Sequence, residues 1–444
     1  MRHDLQHSRL VSSLCLIVFA AFLSAAAVSS GKDGKAAVLA RLSDRQRPVR
    51  IWAWDENYNI TAVNEAVRAY KKRHPDAEFQ VVSMTQEECA ARLNSLMLIG
   101  SRRSLPDIAL IEDYQIQYFL QDYADEFLPL NSFVDPSAYA PCKTGVNCLG
   151  DAVYGVPFDS GTAGLFYRLD LIEKAGYCEE DMRMLTWEKF IEIGKQVKEK
   201  TGKAMLAVNP SDLTLIRMML QSAGAWYTDD TGELFLEGNE VLSQAAAIYK
   251  EMVVSGITVT VPDWNHFVHG FWEEKAAAVL TGSWVSAGIL EQELQSGLWR
   301  VAQVPRMQDC PSSVNASSIG GSGWYIFRYA GMAKEAAQFL EETFASDLEL
   351  IDLLAEKINL VSTLKAARHS ENYKKGLPFY GGQKIYSDLI SWTYEIPQVN
   401  YGTDTYGTEE MIAALLQDIL AGEDISKVLS DYQKEYGQHG RSKL

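Results

Sequence analysis

From Val49 onward the chain alternates between short apolar runs and amphipathic stretches, and that alternation leaves it few architectures. "VRIWAW" reads as a strand, and "NITAVNEAVRAYKKRHP" has apolar residues at helical spacing up to a His-Pro stop. "AEFQVVSM" is a second strand, "EECAARLNSLMLIGS" a helix and "PDIALIED" a third strand. Such alternation predicts an α/β fold with parallel-rich sheets flanked by helices. Right-handed crossovers bring the loops after the strands to one edge, and ligands bind beyond the strands' carboxyl ends.

The pattern continues. "GLFYRL" is a strand, and "TWEKFIEIGKQVKEKTGK" is a helix with Thr186 as its N-cap. "LTLIRMMLQSAGAWY" and "EVLSQAAAIYKEMVVSG" are helices, and "WRVAQVP" and the Gly-rich "SIGGSGWYIFRYA" lead into strands. "AKEAAQFLEETFAS" is a helix, and the C-terminal third is mostly helical. At 444 residues the chain exceeds one compact core and fits two lobes. A formal net charge of -17 argues against nucleic acid as a partner, because phosphate contacts need clustered Lys and Arg. Ten Trp and 21 Tyr offer rigid faces with a polar edge, suited to amphipathic ligands.

Basic residues in "MRHDLQHSR" precede the apolar "LVSSLCLIVFAAFLSAAA", and Ala25-Ala26-Ala27 fits a signal-peptide cleavage site. Residues 1–27 are therefore expected to be a signal peptide and 28–47 a leader or linker, with a membrane anchor as the alternative. Cys15 lies inside the apolar run and is followed by Leu-Ile-Val-Phe, unlike a lipid-attachment site. The expected location is periplasmic or extracytoplasmic. Cys89, Cys142, Cys148, Cys178 and Cys310 remain, and the turn-rich "CKTGVNC" allows a local disulfide in an oxidising compartment. The cysteines lack the paired spacing of a zinc site. No metal and no cofactor is expected.

Binding candidates follow from strand ends. Asp55 and Asn57 come after the first strand, and Glu112 and Asp113 after the third. Carboxylates and amides at such an edge suit hydroxyl groups, which share hydrogen bonds with them. A solvated loop or helix start explains them equally well. No motif fixes a facing carboxylate pair, and no G-x-S-x-G, P-loop or H-E-x-x-H occurs. The chain is therefore not expected to be an enzyme.

The order and spacing of "PDIALIED", "YGVPFDSGTAGLFYRLDLIEKAGY", "TWEKF", "FWEEKAAAVLTGSW", "GGSGWYIF" and "EAAQFLEETFAS" resemble the extracellular solute-binding proteins of ABC transporters. The sugar-binding branch, which includes maltose-binding protein, is the nearest in pattern, and the resemblance runs from about Val49 to about Lys434. It implies two α/β lobes, a ligand cleft between them and closure about a hinge. Matched to this chain, the crossovers fall near Pro157–Ser160, Val301–Val304 and Ile326–Ala330. Lobe one then takes 48–157 and 303–327, and lobe two takes 158–302 and 328–444. The implied role is capture of a carbohydrate for a membrane permease, by a monomer. Another solute (a polyamine or a peptide) or a secreted glycan-active enzyme is the alternative.

The resemblance also implies site residues. Trp284 of the Gly-Ser-Trp corner would be a stacking wall for a sugar ring, with core packing as the alternative and Ser283 as a helix N-cap. Asp159 lies at the first crossover, as hinge cap or ligand contact. Trp226 follows "SAGA", where many relatives line the cleft. Gly321 and Ser322 sit in "GGSGW", whose glycines would let backbone N–H groups approach a ligand, a plain turn being the alternative. Tyr401 and Asp404, with Tyr406, precede a helix where relatives place a cleft aromatic. Asp212 is expected to cap a helix, and Trp264 and Trp272 to pack in helices.

Overall fold

Two five-stranded sheets carry the fold, and no strand belongs to both. The computed structural model describes residues 47–209, 213–261 and 275–437. The expected signal peptide 1–27, the leader up to 46, Asp212, Trp264 and Trp272 lie outside the described residues. In chain order the strands are β1 Val49–Ala53, β2 Phe79–Ser83, β3 Ile108–Glu112, β4 Gly155–Asp159 and β5 Ala163–Arg168. They continue as β6 Ala204–Val208, β7 Thr258–Thr260, β8 Ala276–Gly282, β9 Trp299–Ala302 and β10 Ser322–Ile326. The first sheet runs β2-β1-β3-β10-β4 and the second β9-β5-β8-β6-β7.

Residues of β3, β4, β5 and β8 are buried throughout, as sheets covered on both faces require. Strands joined through helices pair in parallel: β1 with β2 and β3, and β6 with β7 and β8. The remaining pairs are antiparallel, because β5 and β10 enter straight from the other lobe without a crossover helix. The sheets are thus more mixed than the sequence pattern predicts. Thr186 caps helix Trp187–Thr201 as read from sequence, accepting from the Lys189 N–H at 3.3 Å, and Gly202 ends it in the left-handed conformation.

The chain leaves the first sheet for the second after β4, at 160–162, and returns to it before β10, at 318–321, where Thr162 bridges to Ser318. Residues after β9 stay with the second lobe: the Arg306 N–H donates to Leu185 O at 3.0 Å and the Val314 N–H to Ser222 O at 2.8 Å. Residues after β10 stay with the first. Helices Ala333–Glu342 and Leu348–Lys357 pack there, with Tyr70 OH donating to Glu335 at 3.1 Å and Lys357 paired with Glu65 at 2.6 Å. Gln383 then bonds β9 through the Val301 N–H and carbonyl, back in the second lobe. Amphipathic helices have the same pattern on either lobe, so only packing partners could place these segments.

No local disulfide forms: Cys142 and Cys148 are both free thiols. Cys142 is buried beside Ala140, Ala316 and Ile396, and its thiol faces Thr393 O at 3.7 Å. The loop between them serves another purpose. Lys143 is buried, and its ammonium bonds Asp113 Oδ1 at 2.6 Å and Ser322 O at 3.1 Å. This single side chain ties the loop to the ends of β3 and β10. Removing one partner of a buried pair leaves an uncompensated charge. Lys143→Met is therefore expected to lower unfolding free energy by about 3–5 kcal/mol in urea titrations. The paired change Asp113→Asn with Lys143→Met should recover a large part of that loss.

A cleft between the sheets

The carboxyl ends of β1 and β3 and the hinge end of β4 face the second lobe across a cavity of about 440 Å³. Register builds its floor. Ser322 of β10 pairs with Glu112 of β3 on one side and Asp159 of β4 on the other, so the three form a row. Ser322 Oγ donates to Asp159 Oδ1 at 2.7 Å. Beside them, Asp55 holds a positive φ of 60° and accepts from the Asn57 and Tyr58 N–H groups at 3.0 and 3.1 Å. This side-chain cap starts the turn Glu56–Ile60, which carries Tyr58 and Asn59 to the cavity.

The opposite wall comes from the ends of β6 and β8, from Arg217 on helix Thr214–Ser222, and from Tyr249 on helix Glu240–Val254. Trp284 completes it. Its ring folds back over β8, with Nε1–H donating to Ile319 O at 3.3 Å. A Cβ on Gly282 would lie 2.2 Å from that indole nitrogen, so the glycine makes room for the ring. The N-cap position of helix Val285–Leu290 is Trp284, without a side-chain cap bond, not Ser283; the Ser283 N–H donates to Thr162 O at 2.8 Å and its carbonyl accepts from the Ser286 N–H at 3.1 Å.

Glu112 ties the lining to both lobes. It accepts from Gln86 Nε2 and from Tyr406 OH, each at 2.6 Å. Burial pushes its carboxyl up to about 7, against the opposing pull of the Tyr406 hydroxyl and Arg217. Asp159 is raised as well, again by burial. Arg217 is neutralised by Glu409 and lies over the rings of Tyr114 and Tyr406 at 5.1 and 5.5 Å.

Of the eleven candidates from sequence, Trp284, Asp159, Asp55, Glu112, Gly321 and Ser322 line this cavity. The other five are elsewhere. Asn57 is exposed outside it, its backbone N–H turned to Asp55. Asp113 is consumed by Lys143. Trp226 and Tyr401 are buried with Tyr114 in an aromatic cluster, ring centroids 4.8–5.6 Å apart, because "SAGA" turns the chain inward. Asp404 caps helix Thr405–Ala421 through the Gly407 N–H at 3.0 Å. Gly321 also acts through packing: a Cβ there would meet Asp113 Oδ2 at 2.6 Å. Its neighbour's N–H, on Gly320, is taken by Tyr114 OH at 3.2 Å.

Residues 65–378 match the family described as bacterial extracellular solute-binding protein. The chain belongs to that family. This solute-binding protein is 36% identical over 381 residues to a lactose-binding protein of Rhizobium radiobacter, covering 86% of this chain and 90% of the relative. An arabinooligosaccharide-binding protein of Bacillus subtilis is 23% identical, with 78% of this chain and 82% of the relative covered. The fold is that of the sugar-binding protein MalE from Xanthomonas citri, at a TM-score of 0.71 and 18% identity over 88% of this chain and 97% of that one. An ABC-transporter-associated binding protein from B. animalis subsp. lactis Bl-04, in complex with beta-1,6-galactobiose, matches at a TM-score of 0.70 and 18% identity, covering 89% and 98%.

Several cleft residues of this binding protein escaped the sequence reading. Trp54 and Tyr58 had a usable signal, since both follow β1 beside Asp55. Gln86 had one as well, since it follows the second strand; Arg217 had none, because it sits in a stretch that reads as an ordinary helix. Glu112 gives the cleft a pH dependence. A carboxyl whose folded pKa is raised binds its proton more tightly in the native state, so stability falls as pH rises from about 4.5 to about 7. Glu112→Gln keeps the shape without titrating. Its stability relative to wild type is expected to rise by about 1–3 kcal/mol between pH 5 and pH 8 in parallel urea melts. A pH-independent difference would mean that Glu112 titrates normally.

Proposed function

We propose that the protein captures a carbohydrate in this cleft and delivers it to the permease of an ABC importer, working as a monomer outside the cytoplasmic membrane after export. The observation that carries the reading is the pairing of aromatic faces, Trp54 and Trp284, with hydrogen-bonding groups on both lobes. A sugar ring has an apolar C–H face and a rim of hydroxyls, so it needs both kinds of contact at once. Likeness to a lactose-binding relative favours a small oligosaccharide, as does a cavity near the lower end of the ligand-site range.

An acidic lining favours one other reading, a cationic solute such as a polyamine. Asp55, Glu112 and Asp159 outnumber Arg217 among the charged lining residues. The upward shift of Glu112, to about 7, weakens that reading, because a partly protonated carboxyl hydrogen-bonds well but attracts cations poorly. No helix among the described residues is long and apolar enough to cross a membrane.

A thermal-shift screen of the purified protein against mono- and oligosaccharides, polyamines and short peptides tests the reading. A ligand of the native state raises the melting temperature by mass action. A shift with saccharides alone is expected; a shift with amines alone would replace the sugar by a cation, and cleavage of an oligosaccharide in the same tubes would make the protein an enzyme. Trp284→Ala should weaken saccharide binding at least tenfold, about 1.4 kcal/mol, with an unchanged far-UV spectrum. Unaltered affinity by calorimetry would remove Trp284 from the ligand wall.

A further inference from the structure

We propose that Tyr406 is the end wall of the cleft and sets the length of saccharide it accepts; this rests on the carbohydrate reading above. A second cavity, of about 520 Å³, lies between helix Asp113–Tyr123 of the first lobe and helix Thr405–Ala421 of the second. Glu112 and Arg217 face the first cavity, whereas Tyr114 and Tyr406 face the second. These four groups touch. Tyr406 OH donates to Glu112 Oε2 at 2.6 Å, and the Arg217 guanidinium lies against both tyrosine rings. Where Tyr406 meets Glu112, the Glu112 side chain borders the first cavity and the Tyr406 side chain borders the second.

The partition is cross-linked within itself. Glu409 neutralises Arg217, and Gln86 and Tyr406 both donate to Glu112 Oε2, which fixes the carboxyl at the boundary. Tyr406 is also held in place: it lies in the first helical turn, which Asp404 caps through the Gly407 N–H. Behind the wall, Tyr118 and Phe119 stand with the amides of Asn94 and Gln115, the same mixture of rings and hydrogen-bonding groups that lines the cleft. Removing the Tyr406 ring would take away the side chain that backs Glu112 and lies against Arg217, and so open a way from the cleft into a chemically similar space. Tyr406 is 38% exposed, so its truncation opens no hole in the core.

The experiment is calorimetric titration of wild type, Tyr406→Ala and Tyr406→Phe with lactose, galactosyl-lactose, and maltose through maltotetraose. Wild type is expected to prefer the disaccharide. Tyr406→Ala should reduce the trisaccharide-to-disaccharide Kd ratio at least about tenfold. Tyr406→Phe keeps the ring and should leave that ratio within about twofold, which a role limited to the hydroxyl would not. If the alanine variant fails to melt cooperatively, Tyr406→Leu replaces it, with the same direction expected. An unchanged ratio in a folded truncation, or a wild type that takes tetrasaccharides as tightly as disaccharides, overturns the wall. Absence of any saccharide binding in all variants overturns the carbohydrate reading, and the wall falls with it.

Discussion

Two sheets that share no strand depend on the chain passages between them, and here those passages are fastened by buried hydroxyls. Ser160 Oγ, Thr162 Oγ1 and Thr393 Oγ1 form a chain with 2.6 Å links. Gln221 Oε1 accepts from Ser317 Oγ, the Ser318 N–H and Ser318 Oγ, binding the second passage to helix Thr214–Ser222. Isolated bridges join Thr162 to Ser318 and Asp159 to Ser362. A buried polar group left unpaired costs about 1–3 kcal/mol, so these partners specify where the strands cross. The cleft exists because the crossing is narrow. Both lobes present strand ends to each other, and the crossing segments form the floor.

The same polar seam supplies the chemistry of the floor. Asp159 and Ser322 belong at once to the passages and to the cavity lining, so hinge geometry and ligand-facing geometry cannot vary independently. Burial makes Glu112 and Asp159 harder to ionise, and Asp55 turns one carboxyl oxygen to its own backbone. Glu112, pushed up to about 7, carries less charge than a free carboxylate. That suits a neutral ligand with many hydroxyls, which gains more from oriented hydrogen bonds than from net charge.

Legibility varied with the range of the interaction involved. Thr186 was readable as a helix start because a cap is a contact between residues a few positions apart. The strand-end rule gave Asp55 and Glu112, and the resemblance gave Asp159 and Trp284, all of which line the cavity. The strand-end rule also gave Asp113, which pairs with Lys143, because nothing local announces a lysine thirty positions away. The resemblance also gave Trp226 and Tyr401, which stand in an aromatic cluster assembled from three separate segments. Arg217 was invisible for the converse reason: helical periodicity shows which face is buried, not which cavity borders it.

The sequence by itself determined the α/β class, most element boundaries and the presence of acidic and aromatic groups at strand ends. These follow from period-2 and period-3.6 patterns and from caps, all of them short-range. Tertiary structure alone decided that helices Ala333–Glu342 and Leu348–Lys357 join the first lobe, that Cys142 stays a thiol, and that Tyr406 meets Glu112 across the lobes. Each is a choice of distant partner among chemically equivalent surfaces. A one-dimensional pattern does not encode that choice, because it depends on which faces the two sheets bring within contact distance.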